Sequence, residues 1–134
     1  MEFIAESIDK TKEIAKDFSK NLVAGDIVFL YGELGSSKTT FTGFVANNLG
    51  FTGQVQSPTF VLERIYETKD YNLHHIDLYR MNREDLSLLE FINELDKKAV
   101  YFIEWPEVIE DIIKPTKIIK FEHISEYSRK IIIN

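Results

Sequence analysis

The chain has 134 residues, a formal net charge of −6, no cysteine and 44% hydrophobic residues. That length suits one domain, residues 1–134, with enough apolar material for a core, and the missing cysteines exclude thiol catalysis, thiolate metal sites and disulfides. Scattered cations in an acidic chain argue against strong direct contact with nucleic acid, which needs clustered positive charge.

Nothing is long or apolar enough to span a membrane. Met1 to Glu6 lacks the basic start and apolar run of a secretory signal, so a cytoplasmic location is expected. Ser7 or Asp9 can cap a first helix, in which Ile14, Ala15, Phe18 and Leu22 share one face. Gly25 and Asp26 end it. The apolar run Ile27 to Tyr31 reads as a buried strand, and a helical pattern runs from Thr40 to Leu49 with Gly50 as its stop. Phe41, Phe44, Val45 and Leu49 make its core-facing stripe.

Phe51 to Ser57 is polar and leads to Pro58. A strand over Thr59 to Tyr66, a turn over Thr68 to Asn72 and a return strand over Leu73 to Asp77 form a hairpin. Tyr79 to Arg83 is irregular. Asp85 can cap a helix carrying Leu86, Leu89, Phe91, Ile92 and Leu95. Ala99 to Ile103 is a continuous apolar run, as for a strand covered on both faces. Trp105-Pro106 breaks it, Glu107 to Ile113 can form a short helix before Pro115, and strands over Lys117 to Glu122 and Lys130 to Ile133 flank a turn at Ser125 to Ser128. Strands alternating with helices predict an α/β fold: one mixed, mainly parallel central sheet with antiparallel hairpin additions and helices on both faces.

Between the first apolar run and its helix lies Gly32-Glu33-Leu34-Gly35-Ser36-Ser37-Lys38-Thr39-Thr40. The string follows the phosphate-loop pattern of Gly, four residues, Gly, Lys and Ser or Thr, with Ser37 in place of the second glycine. A strand, a glycine-bearing turn and a helix N-terminus together make an anion site. Lys38 would reach the outer phosphates of a nucleotide and the Thr39 hydroxyl would ligate magnesium. Such a site needs a carboxylate at the end of a neighbouring strand. Glu104 and Asp77 each close a strand, and Glu104 is preferred because its strand is the more clearly buried. His74 and His75 are adjacent, point to opposite faces and cannot easily chelate one metal. They read first as hydrogen-bonding or surface histidines, with His75 near Asp77. Trp105 reads as packing or as a gate.

Behind the loop come Ser57-Pro58-Thr59-Phe60, then His75-Ile76-Asp77-Leu78-Tyr79-Arg80, then Glu104-Trp105-Pro106-Glu107. In that order and spacing the set resembles the bacterial TsaE (YjeE) family, the small P-loop ATPase needed to make threonylcarbamoyladenosine in tRNA. The resemblance covers nearly the whole chain. It implies a P-loop α/β domain that binds ATP and Mg2+ and hydrolyses ATP weakly alone. It also implies docking on the threonylcarbamoyl transferase subunit and its inactive paralogue, with tRNA met only indirectly. By matching motif, Lys38 would contact the β- and γ-phosphates, Thr39 and Glu104 would hold magnesium, and Asp77 would organise the attacking water or the metal's second shell. Ser57 to Phe60, with Ser57 and Thr59, would sense the γ-phosphate, and Trp105 would belong to a second switch. Thr11 and Arg129 match positions near the nucleotide.

The chain departs from the family at Ser37, usually Gly, and at Gly43-Phe44, usually Arg-Gly. If the Ser37 position demanded positive φ, its Cβ would cost ~1–2 kcal/mol. That would weaken nucleotide binding about tenfold without abolishing it. Two other readings stand beside the ATPase. One is a non-catalytic interaction subunit with a degenerate loop, which the presence together of Lys38, Thr39, Asp77 and Glu104 speaks against. The other is a small metabolite kinase, which would need an arginine-rich lid, whereas the middle of this chain offers only Arg80 and Arg83.

Overall fold

A computed structural model describes the backbone of residues 1–33, 35–56 and 62–134, and their side chains except at 35–36 and 54–56. The elements run β1 Glu2–Ala5, α1 Ile8–Ser19, β2 Ile27–Tyr31, α2 Gly35–Asn48, β3 Gly53–Gln56, β4 Leu62–Glu67 and β5 Asn72–Asp77. They continue with α3 Leu86–Asn93, β6 Val100–Glu104, a 3₁₀ turn at Pro106–Val108, β7 Lys117–His123 and β8 Arg129–Ile133. Among the described residues one eight-stranded sheet has the order β1-β8-β7-β2-β6-β5-β4-β3. Its centre, β7-β2-β6-β5, is parallel, and antiparallel pairs extend it on both sides. This is the α/β sheet expected from alternating strands and helices.

The continuous apolar runs explain the centre. Every residue of β6 is buried, as its unbroken hydrophobic pattern requires of a strand with both faces covered. On one face Val28, Leu30, Phe102 and Ile119 meet Ile14, Phe18, Phe41 and Val45 of α1 and α2. Phe18 packs edge-on against Phe41 and Phe102, with ring centroids 5.8 and 6.0 Å apart. On the other face Phe29, Ile76 and Ile103 meet Leu88 of α3 together with Ile109 and Ile113. Ser7 is the cap of α1, its hydroxyl accepting from the Lys10 N–H at 3.1 Å.

Several elements differ from the sequence expectation. α1 stops at Ser19, and Asp26 organises the turn that follows. Its carboxylate accepts from Val23 N–H at 2.9 Å, Thr116 Oγ1 at 2.9 Å and Lys117 Nζ at 3.0 Å, tying the start of β2 to the start of β7. α2 begins at Gly35 rather than Thr40, so Lys38 and Thr39 lie inside its first turns. Leu88 is the buried anchor of α3, while Leu86 and Leu89 face solvent. Beyond Trp105 the chain forms only the 3₁₀ turn and further turns, not a helix to Ile113. Strands β1 and β3 were not expected. Both are four residues long and occupy the two edges of the sheet. The expected strand residues Thr59 to Val61 lie outside the described residues.

Candidate functional site

The site forms where β2, β5 and β6 end together. β2 delivers Gly32 with φ +142°, and a Cβ there would stand 2.7 Å from the Phe121 carbonyl oxygen. Only glycine meets both conditions, so the chain turns here without strain. The first turns of α2 then carry Lys38 and Thr39 back over the sheet face formed by Val28, Leu30 and Phe102. In the parallel register Leu30 pairs with Glu104 and Asp77 pairs with Glu104, which brings both carboxylates to the same end and the same face.

Lys38 is 1% exposed and Glu104 is 2% exposed. Lys38 Nζ donates to the Gly32 carbonyl at 2.5 Å, lies 3.8 Å from Glu104 Oε1 and sits 4.4 Å from the centroid of the Trp105 ring. Thr39 Oγ1 donates to Glu104 Oε2 at 3.3 Å, and His75 Nε2 hydrogen-bonds the same oxygen. Asp77 is half-buried beside them, its Oδ1 accepting from Tyr79 N–H at 2.9 Å. Trp105 has φ 57°, the sole positive φ at a non-glycine among the described residues. A bulky residue held there stores roughly 1–3 kcal/mol. Its ring is fixed between Lys38 and Tyr79, whose centroid is 5.1 Å away. At the end of β2 the phenol of Tyr31 is pushed above its ordinary range by burial, by its 2.7 Å hydrogen bond to Glu110 and by the nearby charge of Glu107.

Ser37 belongs to α2 and does not adopt positive φ, so the anticipated Cβ strain is absent. Its hydroxyl accepts from Arg129 Nε at 3.0 Å. The Arg129 guanidinium also donates to the carbonyls of Ser125 at 3.0 Å, Glu126 at 3.4 Å and Ser128 at 3.1 Å. Arg129 thereby bridges the β7–β8 turn to the first turns of α2. Between them opens a cleft of about 420 Å³, whose lining includes Ser7, Thr11, Ser37, Thr40, Tyr127 and Arg129.

A sequence model of the family described as "Threonylcarbamoyl adenosine biosynthesis protein TsaE" matches residues 5–131. The chain belongs to the TsaE family. Similar relatives carry the name tRNA threonylcarbamoyladenosine biosynthesis protein TsaE. The Rickettsia typhi protein is 38% identical over 108 residues, which span 79% of this chain and 74% of that protein. The Aquifex aeolicus protein is 38% identical over 133 residues, 97% of this chain and 92% of that one. The crystal structure of Bacillus subtilis YdiB superimposes with a TM-score of 0.72 at 32% identity, covering 98% of this chain and 82% of that one. Membership of the TsaE family links the chain to the biosynthesis of threonylcarbamoyladenosine in tRNA. No helix among the described residues is long and apolar enough to cross a membrane.

Of the residues singled out in the sequence, Gly32, Lys38, Thr39, Glu104 and Trp105 converge, with Asp77 beside them. Thr11, Ser37, Thr40 and Arg129 line the adjoining cleft. Glu33 is exposed at the turn. Gly35 and Ser36 lie in the first turn of α2, with side chains outside the described residues, and Leu34, Ser57 and Thr59 lie outside them altogether. The residue that sequence reasoning missed is the partner of Glu104. His75 was placed near Asp77, and its bond to a carboxylate 29 residues further on follows only once β5 and β6 are known to be parallel neighbours.

Proposed function

We propose that this chain binds ATP with Mg2+ and hydrolyses it to ADP and phosphate, weakly alone and faster when docked on the threonylcarbamoyl transferase subunit and its inactive paralogue. It would thereby serve tRNA modification without contacting tRNA strongly itself, in the cytoplasm. The observation that carries the reading is the convergence of Lys38, Thr39 and Glu104 at the N-terminus of α2, where the helix dipole and backbone N–H groups favour an anion.

Magnesium fits the donors present. The hydroxyl of Thr39 and the carboxylate of Glu104 are hard oxygen ligands already side by side, and Mg2+ takes few protein ligands, leaving the rest to phosphate and water. When bound, the ion would neutralise charge on the β- and γ-phosphate oxygens. Lys38 contributes a desolvated cation whose present partners, the Gly32 carbonyl and Glu104, hold it in place for a phosphate. Asp77, at the level of Glu104 on the next strand, would accept a hydrogen bond from the attacking water and orient it. The adjoining cleft lined by Thr11, Ser37, Thr40 and Arg129 would hold the nucleoside. Ser57 and Thr59 would report the γ-phosphate, and Trp105, packed on Lys38, would report its withdrawal.

Calorimetric titration with ATP and Mg2+ tests binding, and phosphate release with and without the two partner proteins tests turnover. Absence of heat at millimolar nucleotide overturns the ATP site. Binding without turnover, unchanged by the partners, overturns the enzymatic reading and favours a non-catalytic subunit.

A further inference from the structure

We infer that His75 is a positioning residue for Glu104, and that its ring N–H sets how tightly the site holds a divalent cation together with nucleotide. The inference rests on the nucleotide reading above and adds a residue to it.

His75 is a buried polar side chain, 8% exposed, on a sheet face that is otherwise apolar around Val28, Leu30 and Phe102. It pairs in register with Phe102, two residues before Glu104, so the ring leans along the strand towards the carboxylate. An ionised carboxylate only accepts, so the Nε2 atom must carry the hydrogen that it donates to Glu104 Oε2. Thr39 donates to that same oxygen. Oε1 is the oxygen that faces Lys38. The division matters because the terminal torsion of a glutamate is broad, with no sharp preference of its own. Two donors on Oε2 fix it. With His75 gone, Thr39 alone would hold that oxygen, and the carboxylate could turn further towards Lys38.

The neighbouring histidine shows that this is not a generic histidine contact. His74 points to the opposite face, 4.6 Å from the Tyr101 ring, and has its own partner in Glu63 at 3.0 Å. Only His75 reaches the carboxylate that Lys38 and Thr39 share.

The test compares His75→Met with His75→Gln. The two replacements are close in shape, but only glutamine keeps an N–H able to reach Glu104. Calorimetry with an ATP analogue carrying a non-hydrolysable β,γ bridge is run at rising MgCl2 and again in chelator. The Met variant should lose tenfold or more in apparent Mg2+ affinity, as removal of a hydrogen bond behind a metal ligand does by about 10–100-fold. Its binding of analogue in chelator should change by less than about twofold, and the Gln variant should recover most of the Mg2+ affinity. Should the Met chain not fold, His75→Asn, whose shorter arm stops short of Glu104, replaces it against Gln. Equal Mg2+ dependence in the variants with and without the donor overturns the inference while leaving the nucleotide site intact. Failure of the unaltered protein to bind analogue at any Mg2+ concentration overturns the nucleotide reading, and this inference with it.

Discussion

Ser37→Gly restores the glycine of the phosphate-loop pattern, and two arguments predict opposite results for it. If Ser37 were strained by positive φ, glycine would relieve ~1–2 kcal/mol and tighten ATP binding about tenfold. In the structure Ser37 is helical and its hydroxyl accepts from Arg129 at 3.0 Å. Glycine then relieves nothing and deletes a hydrogen bond to a charged group, worth roughly 1.5–3 kcal/mol when well shielded. This one is partly buried, so the lower end applies, and glycine within a helix adds about 0.5–1 kcal/mol of conformational cost. The expected result is a loss of about 2 kcal/mol of stability. For a chain of this size that lowers the melting temperature by roughly 6–10 °C. ATP affinity should change by less than about threefold, well short of the tenfold gain that strain relief would give. Thermal unfolding followed by circular dichroism reads the first quantity and calorimetry the second. A double-mutant cycle with Arg129→Ala isolates the pair from the three carbonyls that Arg129 also holds, and should show a coupling of about 1.5 kcal/mol. A tenfold gain in ATP affinity, or the absence of coupling to Arg129, would refute the reasoning.

Lys38→Met should lower ATP affinity by about 10–100-fold, the worth of one charge-assisted contact to phosphate, as read by calorimetry. It should also destabilise the chain, towards the low end of the ~3–5 kcal/mol usual for breaking a buried ion pair, because Thr39 and His75 still donate to Glu104. Gly32→Ala places a Cβ 2.7 Å from the Phe121 carbonyl at φ +142°. Adding backbone strain to overpacking, we expect a loss of about 2–5 kcal/mol in urea unfolding. Burial alone would raise the Asp26 carboxyl, but the hydrogen bonds from Val23, Lys117 and Thr116 more than offset it and hold the group below its ordinary value. A carboxyl depressed in the folded state contributes stability in full above its unfolded value of ~3.9 and loses it as pH falls through the folded value. Urea unfolding at pH 7 and pH 3 should therefore show a smaller acid-induced loss in Asp26→Asn than in the unaltered protein.

What could be read without coordinates was whatever depends on a single stretch of chain. Val100 to Ile103 is apolar throughout because both of its faces are covered, and the same reason makes Ile27 to Tyr31 recognisable. A strand entering a glycine turn with Lys38 and Thr39 beyond it is likewise local, and Glu104 could be found because it directly follows a buried strand. The edge strands were not legible. Gly53–Gln56 carries little apolar signal, and its strand conformation comes from backbone bonding to β4. Leu86 and Leu89 looked like core residues by spacing, but in a helix of barely two turns the buried face is set by where Leu88 meets Ile76 and Ile103. The same limit governed the site. The pairing of His75 with Glu104 depends on the register of two strands, and that of Ser37 with Arg129 joins residues 92 apart. Neither partner carries a local mark.

The arrangement around Lys38 also answers why a small acidic protein should bury a lysine and a glutamate beside a solvent-facing loop. An isolated buried ammonium or carboxylate is expensive enough that it would ordinarily neutralise. Here each charge faces the other across 3.8 Å, Lys38 also donates to the Gly32 carbonyl, and Thr39 and His75 both hydrogen-bond Glu104 Oε2. No buried side-chain polar atom among the described residues lacks a partner. The site is thus electrically balanced before any ligand arrives. Under the proposed reading, a phosphate that drew Lys38 away would leave Glu104 with an uncompensated charge, and a divalent cation held by Thr39 and Glu104 would restore the balance. On this argument anion and cation would favour each other's binding, and the stacking of Trp105 on Lys38 would link that exchange to the strained turn that begins the segment after β6.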